Sequence, residues 1–235
     1  VVPDSGCGAW LFEPQSTNIV TQSETFSDWA VLGNKSQITI NNVISPDGTQ
    51  NAAKLELISA FPDAAIRFTG LTAGVEYTFS IYAKKGNFDK MQLDISDNPA
   101  IIYTLTDDWV RYELTGTSTS NFVDLSIRNG VVGNYFYIWG AQVEALSYAT
   151  SYIPTEGTIK TRNQDVCNNG GDVSLINSTE GVLYLEASKL VNGETSQAIG
   201  ITDGSNNNII MVQWNSTANR IYFFSRGGAN AYESF

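Results

Sequence analysis

The stretch "VEYTFSIYAKK" (75–85) alternates strictly: Tyr77, Phe79, Ile81 and Ala83 fall on one side, Thr78, Ser80, Tyr82 and Lys84 on the other. A period of two is that of a strand with one face in a core. After Lys-Gly-Asn at 85–87 the pattern resumes in "DKMQLDIS" (89–96), with Met91, Leu93 and Ile95 opposite Gln92 and Asp94. The same reading extends outward to "KLELIS" (54–59), "WVRYELTG" (109–116), "NFVDLSIRNG" (121–130) and "NYFYIWGAQVE" (134–144). Gly, Asn, Asp and Pro turn signals separate these runs, and helical periodicity is almost absent. Short strands at this spacing predict an all-β chain built around an antiparallel jelly-roll sandwich.

After residue 158 a second set begins: "TEGVLYLEAS" (179–188), "QAIGITDG" (197–204), "NIIMVQWN" (208–215) and "RIYFFSRGG" (220–228). Four strands in about 70 residues fall short of a full sandwich, so a second, truncated antiparallel β-sandwich is expected. The expected organisation is a terminal segment 1–11, a jelly roll 12–148, an ordered clasp 149–163 and a partial β-domain 164–235. Within the clasp, Tyr148, Tyr152 and Ile153 are spaced to pin the departing chain, and Pro154 and Gly157 to turn it. Both tyrosines are expected to be substantially buried.

Composition narrows function. The 235 residues carry 24 acidic and 13 basic side chains, a formal charge of −11. Phosphate contacts need clustered Lys and Arg, so nucleic acid is not an expected partner, nor is insertion into a membrane. The chain has no histidine, which removes histidine-dependent triads and histidine-ligated zinc. Adjacent acids such as Asp107 and Asp108 point to opposite faces of a strand and make a poor glycosidase pair. No catalytic residue is assigned and a non-enzymatic protein is expected. Cys7 and Cys167 lie in Gly/Asn-rich loops; a disulfide and two free thiols are both open. Val1 is not a start methionine and no signal peptide is evident, so the chain reads as part of something longer. Asn34, Asn177 and Asn215 match the glycosylation sequon as often as an Asn/Ser/Thr-rich chain would by chance.

The alternation also yields a candidate sugar site. If one sheet is concave, its polar face carries Tyr82, Gln92, Asp94 and Arg128: a ring to stack on a sugar and polar groups for its hydroxyls. Trp139 is a further candidate platform, although strand 134–144 can be phased either way.

Four segments in order, "LFEPQSTNIVTQSETFSDW" (11–29), "ISPDGTQNAAKL" (44–55), "YTFSIYAKK" (77–85) and "YIWGAQVEALSYATSYIPTEG" (137–157), resemble the carbohydrate-binding-module-like jelly roll of phage tail and head fibre proteins. "TRNQDVCNNGG" and "EGVLYLEA" resemble the start of a concanavalin-like (laminin-G-like) domain. The resemblance implies a virion or extracellular surface, recognition of a surface polysaccharide or glycan, other virion proteins as neighbours, and a homo-oligomer, often a trimer. It requires no cofactor but implies a structural calcium, with Glu24, Asp47 and Glu144 as candidate ligands. An accessory binding module of a secreted polysaccharide-degrading enzyme and a purely structural virion component are the alternatives.

Overall fold

The structure is a computed structural model that describes residues 2–4, 7–9, 11–59, 63–96, 99–166, 185, 187, 197–205, 207–217, 220–228 and 230–234. The chain divides into two compact units, Val1–Gly170 and Gly171–Phe235. The first unit holds strands Val2–Asp4 (β1), Cys7–Ala9 (β2), Ser16–Asn18 (β3), Ala30–Val31 (β4), Ser36–Val43 (β5), Ala52–Leu57 (β6) and Asp63–Thr69 (β7). It continues with Glu76–Lys85 (β8), Lys90–Ile95 (β9), Ala100–Thr104 (β10), Val110–Thr117 (β11), Phe122–Arg128 (β12), Tyr135–Glu144 (β13) and Lys160–Arg162 (β14).

Two antiparallel five-stranded sheets face each other. One has the order β10-β9-β12-β7-β4 (the β9 sheet), the other β11-β8-β13-β6-β5 (the β8 sheet). Consecutive strands repeatedly change sheet, as in a jelly roll. The core lies between the layers: Phe79, Ile81, Leu55, Phe136 and Ile138 from the β8 sheet meet Met91, Leu93, Val123, Leu125, Ile127 and Ile66 from the β9 sheet. Trp29 closes one end, with ring centroids 5.6 Å from Phe26, 5.8 Å from Phe68 and 5.9 Å from Phe79. Phe26 takes a left-handed φ of 56° to reach that cluster, a strain of about 1–2 kcal/mol offset by burying its ring.

β13 resolves the ambiguity of its sequence. Trp139 is opposite Tyr82 but Gln142 is opposite Ser80, so one extra residue sits in β13. The bulge begins at Gly140, whose φ of 66° is left-handed. Before it, Phe136 and Ile138 point inward; after it, Ala141 and Val143 do. Tyr137 and Trp139 therefore share the outer face with Gln142 and Glu144, and no single phase describes the strand.

The outer face of the β8 sheet is half covered. Residues 13–23 and 155–165 run antiparallel in one register, from Glu13–Asp165 through Ser16–Arg162 and Asn18–Lys160 to Gln22–Glu156 and Ser23–Thr155. This ribbon and the clasp lie on the sheet, so Thr78, Ser80, Gln142 and Glu144 are buried although they face away from the core. Asn18 is the pivot. Its amide donates to the carbonyls of Ala141 and Ile153 (3.1 and 2.9 Å) and accepts from the backbone of Val20 and Val143 (both 3.1 Å). Ile153 is buried; Tyr148 and Tyr152 are half-buried, less than the sequence suggests.

The second unit shows one antiparallel sheet in the order Gln197–Thr202 (β15), Asn208–Trp214 (β16), Ile221–Gly227 (β17) and Asn230–Ser234 (β18). The strand predicted at 179–188 lies outside the described residues apart from 185 and 187, as does Cys167, so the Cys7–Cys167 pairing does too.

Candidate functional site

The residues read as one sugar-binding face are divided between two. Tyr82 and Trp139 face outward from the β8 sheet; Gln92, Asp94 and Arg128 belong to β9 and β12 and face outward from the other sheet. Alternation sets inside against outside within each strand. It does not say to which layer a strand belongs, and β8 and β9, though consecutive, are in opposite layers.

On the β9 sheet, Asp94, Asp124 and Arg67 form a cross-strand row. Arg67 donates from Nε and Nη2 to the two carboxylate oxygens of Asp124 (2.7 and 2.6 Å). Its guanidinium also lies 3.5 Å from the centroid of the Phe122 ring. Two like charges opposite one another repel, and this fork offsets that repulsion. On this face Phe122 is capped by Arg67, and Asp94 and Asp124 are both buried. Gln92 is opposite Ser126, which is buried as well.

The outer face of the β8 sheet is aromatic. Tyr82, Trp139 and Tyr152 pack together, with centroids 5.5 Å (Tyr82–Trp139) and 4.7 Å (Trp139–Tyr152) apart. Trp139 is only 5% exposed, sealed by its neighbours rather than open as a platform. Tyr152 closes over it from the clasp. The Tyr152 hydroxyl lies 2.7 Å from Ser23 Oγ and donates to Glu24 Oε1 (3.2 Å). Burial pushes the Tyr152 phenol well above its ordinary range.

Beyond that trio the face opens. Tyr137 is flanked directly by Lys84 of β8 and Lys54 of β6. Burial, with the neighbouring Tyr135 hydroxyl, raises the Tyr137 phenol, so it remains a hydrogen-bond donor at neutral pH. The β5–β6 connection reaches far enough for the Trp109 indole to donate to the Ile44 carbonyl (3.0 Å). An open depression of about 530 Å³ results, lined by Asn42, Val43, Ile44, Gln50, Lys84 and Tyr137. Sequence reading missed Tyr137 because β13 could not be phased. The signal was there in "IWGAQ": a glycine inside a strand marks a bulge.

Of the three candidate calcium ligands, two come together. Asn51 Nδ2 donates to Glu24 Oε2 (3.0 Å) and to Asp47 Oδ2 (3.1 Å), bridging them. Ser45 is the main cause that holds the Asp47 carboxyl down to about 2, aided by Thr49 and Asn51, so it is ionised at any mildly acidic pH. Among the described residues, Asn51 Oδ1 is buried without a hydrogen-bond partner. The two carboxylates are hard oxygen donors of the kind calcium takes; Asn51 turns its NH2 toward both, so its Oδ1 would join them only with the amide flipped. Glu144 is not part of this set. It is fully buried and its carboxyl accepts from Ser16 Oγ (2.6 Å), Thr150 N (3.0 Å) and Thr150 Oγ1. Its place at the end of β13, under the ribbon, makes it a strut.

No protein-family model and no curated protein matches this chain. Solved structures do. The enzymatically active domain of bacteriophage CBA120 tailspike protein 4 is 14% identical over 54% of this chain and 21% of its own, with a TM-score of 0.39. The CBM22-1–GH10 modules of Clostridium thermocellum xylanase 10B, complexed with xylohexaose, are 15% identical over 60% and 30%, with a TM-score of 0.41. The CBM22-1 xylan-binding domain of Paenibacillus barcinonensis Xyn10C is 12% identical over 57% and 94%, with a TM-score of 0.39. This chain thus spans about a fifth of the tailspike chain and under a third of the xylanase chain. Among the described residues, no helix is long and apolar enough to cross a membrane.

Proposed function

We propose that the first unit binds a glycan in the open half of the β8 sheet, and that the protein is a non-enzymatic surface component of a virion, a fibre, spike or decoration. One observation carries the glycan part of the reading, a half-exposed Tyr137 ring and the amides of Asn42 and Gln50 lining the same depression; the virion part rests on the sequence resemblance. A sugar offers C–H faces to the ring and hydroxyls to the amides. The volume lies within the usual range for small-ligand sites. An open site of this kind gives weak single contacts, which a homo-oligomer on a surface would multiply.

Tyr137→Ala is expected to weaken binding to a responding glycan about tenfold while lowering the melting temperature by no more than about 4 °C, since the ring is half-exposed and loses mainly its edge contact with Tyr135. Glycan-array screening followed by calorimetry checks this. A trimer in solution that binds no polysaccharide at all would leave the structural-component reading in its place.

Calcium, if bound, would be held by Glu24, Asp47 and Asn51, tying the N-terminal segment to the β5–β6 connection that walls the depression. A millimolar calcium addition is expected to raise the melting temperature by several degrees, and chelation to reverse it, because an ion bound only by the folded state stabilises by mass action. Glu24→Gln with Asp47→Asn should abolish that response. An identical response in the double variant would rule this site out.

A further inference from the structure

We infer that the glycan bound at Tyr137 is anionic, a saccharide carrying uronic-acid carboxylates, with Lys84 as the group that selects it. This rests on the proposed binding reading and narrows it. In a chain with 24 acidic and 13 basic residues, a cation finds a carboxylate easily. On this face the others have partners: Lys54 is 2.6 Å from Glu56, and Arg111 donates to the Thr150 carbonyl (2.7 Å) and to Ser80 Oγ (2.9 Å).

Lys84 differs. It is half-buried, yet among the described residues its ammonium has no salt bridge and no hydrogen bond. Its cross-strand neighbour is the Tyr137 ring. Around it the depression holds two amides, two aliphatic side chains and no carboxylate. The lining of this depression is therefore locally positive in a strongly negative molecule. A neutral sugar has no use for that charge; a carboxylate on the ring stacked against Tyr137 would meet it. Partial burial shields the pair from solvent more than an open surface would.

The test uses the whole chain and a panel of uronic-acid oligosaccharides, each paired with its carboxyl-reduced neutral form, titrated in 50 mM and 500 mM NaCl. The expected result is at least one acidic member that binds about tenfold or more tighter than its reduced form, with the advantage shrinking at high salt. Lys84→Gln should erase that advantage with an unchanged melting temperature, while Lys84→Arg should keep most of it. Reduced forms that bind as tightly as the acids would overturn the inference and leave glycan binding standing. No binding by either form at millimolar concentration overturns both.

Discussion

Glu144→Ala is expected to destabilise the first unit by about 3–5 kcal/mol, enough to lower its melting temperature by roughly 10 °C. Glu144 is fully buried, yet it points away from the core into the gap between β13 and the clasp. Truncation removes the acceptor that, among the described residues, the Thr150 backbone amide has, and leaves the Ser16 hydroxyl without Glu144. Each orphaned buried donor costs about 1–3 kcal/mol, and the vacated volume adds to that. Glu144→Gln keeps one oxygen but turns an N–H toward groups that also donate, so it should fall between wild type and alanine. Chemical denaturation with an unchanged m-value would read out the loss. A loss below 1 kcal/mol for the alanine variant would show that the ribbon does not depend on this strut.

The second large effect is at the bulge. Gly140→Val is expected to cost about 2–6 kcal/mol and to disturb the aromatic trio. At φ of 66° a β-branched residue is strongly disfavoured. A Cβ there would also sit 3.3 Å from ring atoms of both Tyr152 and Tyr82. The two penalties add, backbone strain of about 1–3 kcal/mol and overpacking of a similar size. Near-UV circular dichroism should lose intensity as the tilted Trp139–Tyr152 contact loosens, and proteolysis should reach the clasp sooner. Gly140→Asn accepts the left-handed backbone more readily and should retain more stability. A valine variant as stable as wild type, with an intact near-UV spectrum, would contradict the assigned bulge.

These two residues also show how far the sequence can be read. The strands with strict alternation, β8, β9 and β12, were legible because each places large apolar residues on one side only. β5 and β10 were not: Ile40, Ile101 and Ile102 remain exposed on edge strands, so their apolar residues carry no signal of burial. Among its described side chains, β7 gives Ile66 and Phe68 to the core. The polar side chains Thr78 and Ser80 were rightly read as facing away from the core, and the spacing of Tyr148, Tyr152 and Ile153 pointed to a clasp folded back on the domain, but nothing local announced that residues 13–23 would cover them too. That covering depends on Asn18 and Glu13 meeting partners more than a hundred positions away. The candidate site residues are divided between the two sheets for a related reason. Facing was legible strand by strand, whereas sheet membership is a property of the topology, so Tyr82 was grouped with Gln92, Asp94 and Arg128 across the sandwich.

The ribbon of residues 13–23 and 155–165 has a mechanical consequence. The two leads into the jelly roll, before Glu13 and after Asp165, emerge side by side at one end of an antiparallel pair. A pull that separates them loads the Glu13–Asp165 contacts first, then Arg162 with Glu13 (3.2 Å), then the Ser16–Arg162 pair. The hydrogen bonds would open one after another, as in a zip, and not all at once in shear. The sandwich itself would stay out of the load path until Asn18 let go. A module strung on such leads gives a little under tension, by a few residues at a time, before its fold is at risk.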